Sequence, residues 1–435
     1  MAPSKSHAMG SAAEPPAKRR TPKPVEYNIL LTATLCLLAA GAVMVYSASS
    51  ARTLLETGGD GTGYLVKYVA YGAVGLVLMQ ALARGSGMEF VRRITPMLLG
   101  ISFVLLLAVK VPHVGVRING ATRWIGAGPL QFQPSELMKL SLVLYAAGLL
   151  AAHPARLRTL KAIASPLLVV GGAAILLIAS QPDLGTALVI AFTLGALLMV
   201  AGVPMRLLGV MAGIGAVLVV AFVLVEPYRA ARFAAFLNPW AHSDSIGFQA
   251  VQGQIALGSG GLFGVGLGES VQKVFYLPEA HTDFILAVIG EELGVAGISG
   301  LLFLYGLIGY AGLRTAKAAT TRFAQLLAAG LTSLILCQAL LNVFAVLGLA
   351  PLTGVPLPFI SSGSSSLIVL LVTMGMLLNV AARNELHLSA LPNPASRRDD
   401  AQGSGRAQSA HRGRWDGRAR GARAGGRRAA EGGRS

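Results

Sequence analysis

The feature that most restricts what this chain can fold into is a series of ten apolar runs, each close to the length that crosses a bilayer. They cover residues 28–48, 64–83, 94–111, 135–152, 164–180, 185–202, 206–225, 284–311, 323–348 and 360–382. A helix needs about 20 apolar residues to traverse the hydrocarbon core. Inside lipid only helices and closed barrels satisfy their own backbone. The runs are continuous, so the reading is an all-α polytopic membrane protein of about ten transmembrane helices. Charged residues make up 13% of the chain, about half the ~25% of a soluble domain, which agrees. The fifth and sixth runs are the hardest to separate, because only the turn at Gln181-Pro182-Asp183 parts them.

Charge then orients the runs. Of the net +17, residues 1–27 carry +3 and residues 383–435 carry +7, so most of the excess lies in the two ends. Basic residues such as Arg84, Arg92, Arg93, Arg156, Arg158, Lys161, Arg206, Arg314, Lys317 and Arg322 fall in every second connection. The alternate connections hold few, among them Arg52, Arg117, Arg123, Arg229, Arg232 and Lys273. Positive residues stay inside, which puts both termini in the cytoplasm. Three regions follow: a disordered basic tail over 1–27, a membrane domain over 28–383, and a disordered Arg/Gly-rich tail over 384–435. Residues 226–283 form one long extracytoplasmic loop before the eighth span, read as ordered and partly membrane-embedded. The first apolar run is span-length, so no cleavable signal peptide is expected. Basic tails beside spans set topology and touch anionic lipid, and no nucleic-acid-binding module is visible. Cys36 and Cys337 lie inside apolar runs and form neither a metal nor a disulfide pattern.

On this topology every cluster of unusual polar residues falls on the extracytoplasmic side. Arg117 to Ile125, including Arg123 and Trp124, leads through Gln133-Pro134-Ser135-Glu136 into a span that carries Lys139. Gln181-Pro182-Asp183 is an outer turn, and Ser361 to Ser366 enter the last span behind Pro356 and Pro358. The densest stretch is Tyr276–Gly294, with Glu279, His281, Asp283, Glu291 and Glu292. Carboxylates in or near lipid are costly and mark function by default.

Each cluster also admits a structural reading. Ser135 suits a helix N-cap with Glu136 in the first turn, and Asp183 suits a turn with a cap. The serine run suits close helix packing. Trp124 suits an interfacial anchor, and His281 an interface residue bonded to a carbonyl. Asp283 suits a cap for the eighth span, although Thr282 beside it serves equally. Glu291 or Glu292 is expected to pair with Lys139 or an arginine inside the bundle.

Taken together, the motifs Asn119-Gly120-Ala121 with Arg123-Trp124-Ile125, Phe132 to Leu137 with Lys139, and Gln181 to Thr186 resemble the SEDS family of peptidoglycan polymerases (shape, elongation, division, sporulation). Ala256 to Gly261, Gly264 to Gly268, and Leu277 to Gly294 extend the resemblance over about residues 28–383. The stretch Tyr276 to His281 looks more like the division branch than the elongation branch. One segment departs from the family's pattern: Ser362 and Ser364 stand where an aromatic and a second glycine are usual.

The resemblance implies a multi-pass enzyme of the cytoplasmic (inner) membrane at the division septum, its active face extracytoplasmic. It would polymerise lipid II, an undecaprenyl-pyrophosphate-linked disaccharide-pentapeptide, into β-1,4-linked glycan. Asp283 would be the general base. Arg123 and Lys139 would meet the pyrophosphate, and Trp124 a sugar face or the groove rim. Glu136, Asp183, His281, Glu279, Ser361 and Ser365 complete the expected substrate-binding set. A divalent cation, Mg²⁺ or Mn²⁺, is admitted as a helper held mainly by substrate phosphates; no organic cofactor is expected. Implied partners are a class B penicillin-binding protein of the FtsI transpeptidase type and other division proteins. The alternatives are a lipid II flippase, which should need polar groups open to both faces, and a non-catalytic division scaffold.

Overall fold

The computed structural model describes residues 23–57, 60–85, 88–118, 121–127, 130–154, 164–225, 227–274, 277 and 280–390. The chain divides into two units, Met1–Glu385 and Leu386–Ser435, the second described only over residues 386–390, where the last helix ends. Residues 1–22 and 391–435 of the two tails lie outside the described residues, as do Arg156, Arg158 and Lys161, while helix reaches a few residues into each tail, from Val25 and to Ala390.

Among the described residues nine helices are long and apolar enough to cross a membrane. They are α1 (Val25–Thr57), α2 (Gly63–Arg84), α3 (Met88–Ala108), α4 (Pro134–Ala152), α6 (Leu184–Ala201), α7 (Met205–Leu224), α10 (Ile285–Ala318), α11 (Arg322–Val346) and α12 (Ser364–Ala390). The fifth apolar run is a shorter helix, α5 (Val169–Ala179), entered through a π-helical turn at Ala164–Leu168. Asp183 separates it from α6 by capping the latter: its carboxylate accepts from Thr186 N at 3.2 Å.

The helices sort by depth. α11 packs against α4, α6 and α10, and α10 also lies along α1. Small residues permit these approaches: a Cβ on Gly312 of α10 would stand 2.2 Å from Thr332 Oγ1 of α11. At the other extreme α7 is only 6% buried, the exposure a helix apolar on all sides has where lipid covers it.

The connections are more structured than their polarity suggests. Between α3 and α4 lies a three-stranded antiparallel sheet, β1 (Gly115–Ile118), β2 (Ala121–Ala127) and β3 (Leu130–Phe132), with Trp124 opposite Val116. The helical reading holds for the spans, and the sheet is an addition that no alternation of apolar residues announced. Residues 226–283 form α8 (Pro227–Leu237), a 3₁₀ turn at Trp240–His242 and α9 (Phe248–Ser259), which packs on α10.

The rest of that loop is stitched into a break in α10. Gly294 has φ 64° and ψ −162°, so the helical ladder stops there. Helix ends leave unpaired N–H and C=O groups, and the loop takes them up. Val295 N and Ala296 N donate to Gly261 O and Leu262 O at 3.0 and 3.1 Å, while Val265 N and Gly266 N donate to Glu291 O and Glu292 O at 3.0 and 3.1 Å. This needs backbone against backbone. Gly264 has φ +81°, and a Cβ there would fall 2.1 Å from Glu292 O.

The same half-turn corrects the expectation for the two glutamates. Glu292 pairs with Lys273 at 2.7 Å and accepts from Ser47 of α1 at 2.7 Å. Glu291 accepts from Ser270 Oγ at 2.5 Å and Val271 N at 3.0 Å. Neither meets Lys139 or an arginine; the cation is Lys273, from the loop. Both glutamates anchor residues 268–273 to the broken helix.

Candidate functional site

The site begins with prolines. Pro356 and Pro358 prevent a helix, so residues 353–363 run as an irregular segment before α12 starts at Ser364. Carbonyls away from water need donors, and side chains from three helices supply them. Asn342 and Gln338 of α11 donate to Val355 O and Pro356 O at 2.8 and 3.0 Å. Tyr305 of α10 donates to Pro358 O and Tyr68 of α2 to Phe359 O, both at 2.5 Å. Phe359 sits at φ 65°, a conformation that costs a non-glycine residue about 1–3 kcal/mol. These donors hold it there.

This segment in turn grips the residues before α10. Ser361 Oγ accepts from Leu357 N at 2.8 Å and donates to Thr282 O at 2.5 Å. Ser362 donates to His281 O from its amide at 3.1 Å and its hydroxyl at 2.9 Å. Asn342 Nδ2 reaches Asp283 O at 2.8 Å. Three consecutive carbonyls, 281 to 283, are therefore fixed by side chains or backbone of other elements.

Asp283 is half-buried at the end of this clamp. The capping position of α10 belongs to Phe284, so Asp283 stands one residue outside the helix and is not its cap. Thr282 Oγ1 donates to its Oδ1 at 3.0 Å. Its Oδ2 faces Gly354, whose added Cβ would lie 3.7 Å away. His281 is buried, with its ring 4.2 Å from that of Tyr64. Glu279 lies outside the described residues.

A second cluster joins the sheet to α4, α6 and α12. Arg123 on β2 donates through Nε to Gln181 O at 3.1 Å and through Nη2 to Pro182 O, and its Nη1 is 3.9 Å from Asp183 Oδ1. Asp183 Oδ2 accepts from Gln133 Nε2 at 3.1 Å, and Gln133 N donates to Ser365 Oγ at 3.3 Å. Asp183 and Ser365 thus hold the frame together, while Arg123 keeps about a quarter of its side chain exposed. Trp124 beside it is half-buried.

Lys139 and Glu136 depart from their expected place. Both are 2% exposed, paired at 2.9 Å across one turn of α4, and Lys139 Nζ also donates to Gln338 Oε1 at 2.6 Å. An ammonium so enclosed meets its neighbours and no open groove. Its contact passes through Gln338 to Pro356 O. Ser135 is likewise not the cap of α4, a position Gln133 holds. Ser361 and Ser362 serve the clamp.

Sequence reasoning missed Gln338 and Asn342. The available signal was a pair of amides one helical turn apart in an otherwise apolar run, costly in a membrane unless used. Beside the site, a cavity of about 180 Å³ lies between α8, α9 and the corner after α11, lined by Arg232, Phe236, Gln249, Gln254, Gly348 and Leu352. Among the described residues no group of three or more His, Cys, Asp or Glu could cage a cation.

This geometry sits in a chain with clear relatives. The family model for cell cycle proteins FtsW, RodA and SpoVE matches residues 28–386. Stage V sporulation protein E of Bacillus subtilis (strain 168) is 38% identical over 353 residues, covering 81% of this chain and 96% of that protein. The probable peptidoglycan glycosyltransferase FtsW of Geobacter sp. (strain M18) is 38% identical over 355 residues, covering 82% and 96%. Among solved structures, a chain of a peptidoglycan synthase complex that coordinates polymerization and crosslinking superposes with a TM-score of 0.68 at 31% identity, covering 82% of this chain and 97% of that one. The rod shape determining protein RodA of Thermus thermophilus does so with a TM-score of 0.59 at 30% identity, covering 81% and 95%.

Proposed function

Because the chain belongs to the FtsW, RodA and SpoVE family of cell cycle proteins, we propose that its clamped aspartate drives glycan polymerisation from lipid II. The protein is a multi-pass membrane peptidoglycan glycosyltransferase of the SEDS type, close to FtsW and serving cell division. The finer reading is that the substrate is lipid II, that the working face is extracytoplasmic, and that the enzyme acts at the septum.

The chemistry is a single displacement. The acceptor 4-hydroxyl oxygen bonds to the donor anomeric carbon as the bond from that carbon to the pyrophosphate oxygen breaks. The hydroxyl proton passes to Asp283, and undecaprenyl pyrophosphate leaves with the electron pair. The observation that carries this assignment is the fixing of carbonyls 281–283, which leaves the Asp283 carboxylate on a rigid stub outside α10. A positioned carboxylate suits general base catalysis. Arg123 suits the departing pyrophosphate: its guanidinium is partly exposed and carries more N–H groups than the two carbonyls use. Lys139 supports the site from below, through Gln338. A divalent cation, Mg²⁺ or Mn²⁺, would arrive with the substrate's phosphates.

The relative in the synthase complex supports a crosslinking partner, which we assign to a class B penicillin-binding protein. Reconstitution into vesicles with labelled lipid II tests the reading against transport. Polymer without movement of the headgroup across the bilayer is expected. Headgroup movement without polymer would make the protein a flippase.

A further inference from the structure

We propose that Asn342 is the positioning residue of the Asp283 carboxylate, with Gln338 as its second rung; the inference rests on Asp283 being the base. The two amides lie at i and i+4 of α11, on one face of the helix. Asn342 is 2% exposed, and its Nδ2 makes two bonds of 2.8 Å, to Asp283 O and to Val355 O. One amide thus ties the backbone of the base to the irregular segment opposite, where the residue before Val355, Gly354, faces Asp283 Oδ2. Gln338 fixes the adjoining carbonyl of Pro356 at 3.0 Å, and its own oxygen is held at 2.6 Å by Lys139, which Glu136 neutralises. The buried ion pair therefore sets the angle of Gln338. The two amides set the separation between Asp283 and residues 354–356.

Neither amide touches the reacting atoms. Both act by fixing where the carboxylate stands, and a misplacement of about 1 Å costs a reaction on the order of 100-fold. Leucine at 342 keeps the branched heavy-atom outline of asparagine and removes the donors. The structure also provides a matched control. Asn379 of α12 is buried in the same way, and its Nδ2 grips Leu82 O and Gly85 O at 2.7 and 2.6 Å at the far end of α2. Asn379→Leu deletes the same chemistry away from the site.

The test is steady-state polymerisation of lipid II by the full chain with its transpeptidase partner, normalised to folded protein by size-exclusion recovery and melting temperature. Asn342→Leu is expected to lower kcat about 100-fold with KM for lipid II within a few-fold, and Gln338→Leu to lower kcat less. Asn342→Gln, which keeps the donors, is expected to recover part of the loss. Asn379→Leu is expected to shift melting similarly and leave kcat per folded molecule unchanged. An unaltered kcat in Asn342→Leu overturns the inference. So does a loss confined to KM, or an equal loss of kcat in Asn379→Leu. Asp283→Asn run in parallel separates the premises: if it polymerises normally the base assignment fails, and if it is inactive while Asn342→Leu is not, only the positioning role fails.

Discussion

Asp283→Asn is expected to reduce glycan-strand formation from lipid II by about 10²–10⁴-fold, the usual contribution of a positioned general base. The substitution keeps the shape and removes the proton acceptor. The clamp that sets the residue uses its carbonyl, bonded to Asn342 at 2.8 Å, and carbonyls 281 and 282. None of these bonds needs the carboxylate. The variant should therefore insert into membranes, melt near the wild-type temperature and still bind its transpeptidase. Asp283→Ala should behave alike in the assay. Asp283→Glu should retain a fraction of the rate, because it restores a carboxylate one methylene out of place. Polymerase activity at wild-type level in the asparagine variant would remove Asp283 from the chemistry.

The second large effect is on stability. Glu292→Ala is expected to destabilise the protein by about 3–5 kcal/mol, the range for removing one partner of a buried ion pair. Lys273 is 4% exposed and Glu292 fully enclosed, so the ammonium would be left with only Ser47 and Gly268 O. The loss should reach beyond the pair. Residues 260–273 are bonded into the break at Gly294, and Glu291 holds Ser270 and Val271 beside it. Glu292→Gln keeps an acceptor for Lys273 and Ser47 and should cost less. Thermal unfolding of detergent-purified variants measures this. Equal melting of Glu292→Ala and wild type would mean that the pair does not hold the loop.

The parts of this structure that sequence makes visible are those set by local chemistry. The apolar runs became helices because a continuous run in lipid has no other way to satisfy its backbone, and Asp183 capped α6 because a cap is a three-residue affair. The serine motif and Asp283 stand out along the chain because polar groups are costly there. Their division of labour was not visible. Ser361, Ser362 and Ser365 look alike along the chain, yet the first two clamp carbonyls 281 and 282 and the third receives Gln133 N.

What sequence withheld depends on distance between remote segments. Lys139 looked available for a pyrophosphate because nothing along the chain reveals that Gln338 closes over it. Glu291 or Glu292 was expected to meet Lys139 or an arginine, but Glu292 takes Lys273, because Lys273 and Ser47, far apart in the chain, meet when α1 lies along α10. The break in α10 was hidden by composition. Glycines are common in these spans, and Gly41 and Gly375 also meet backbone of other segments without interrupting their helices, so nothing along the chain marks Gly294 as the one that breaks α10.

The most direct measurement is a gel of glycan products made from lipid II by purified protein with its transpeptidase partner, wild type beside Asp283→Asn. The account predicts a ladder of long strands from the wild type and unreacted lipid II from the variant, at equal recovery of the complex. The same ladder in both lanes, or in neither, would contradict it.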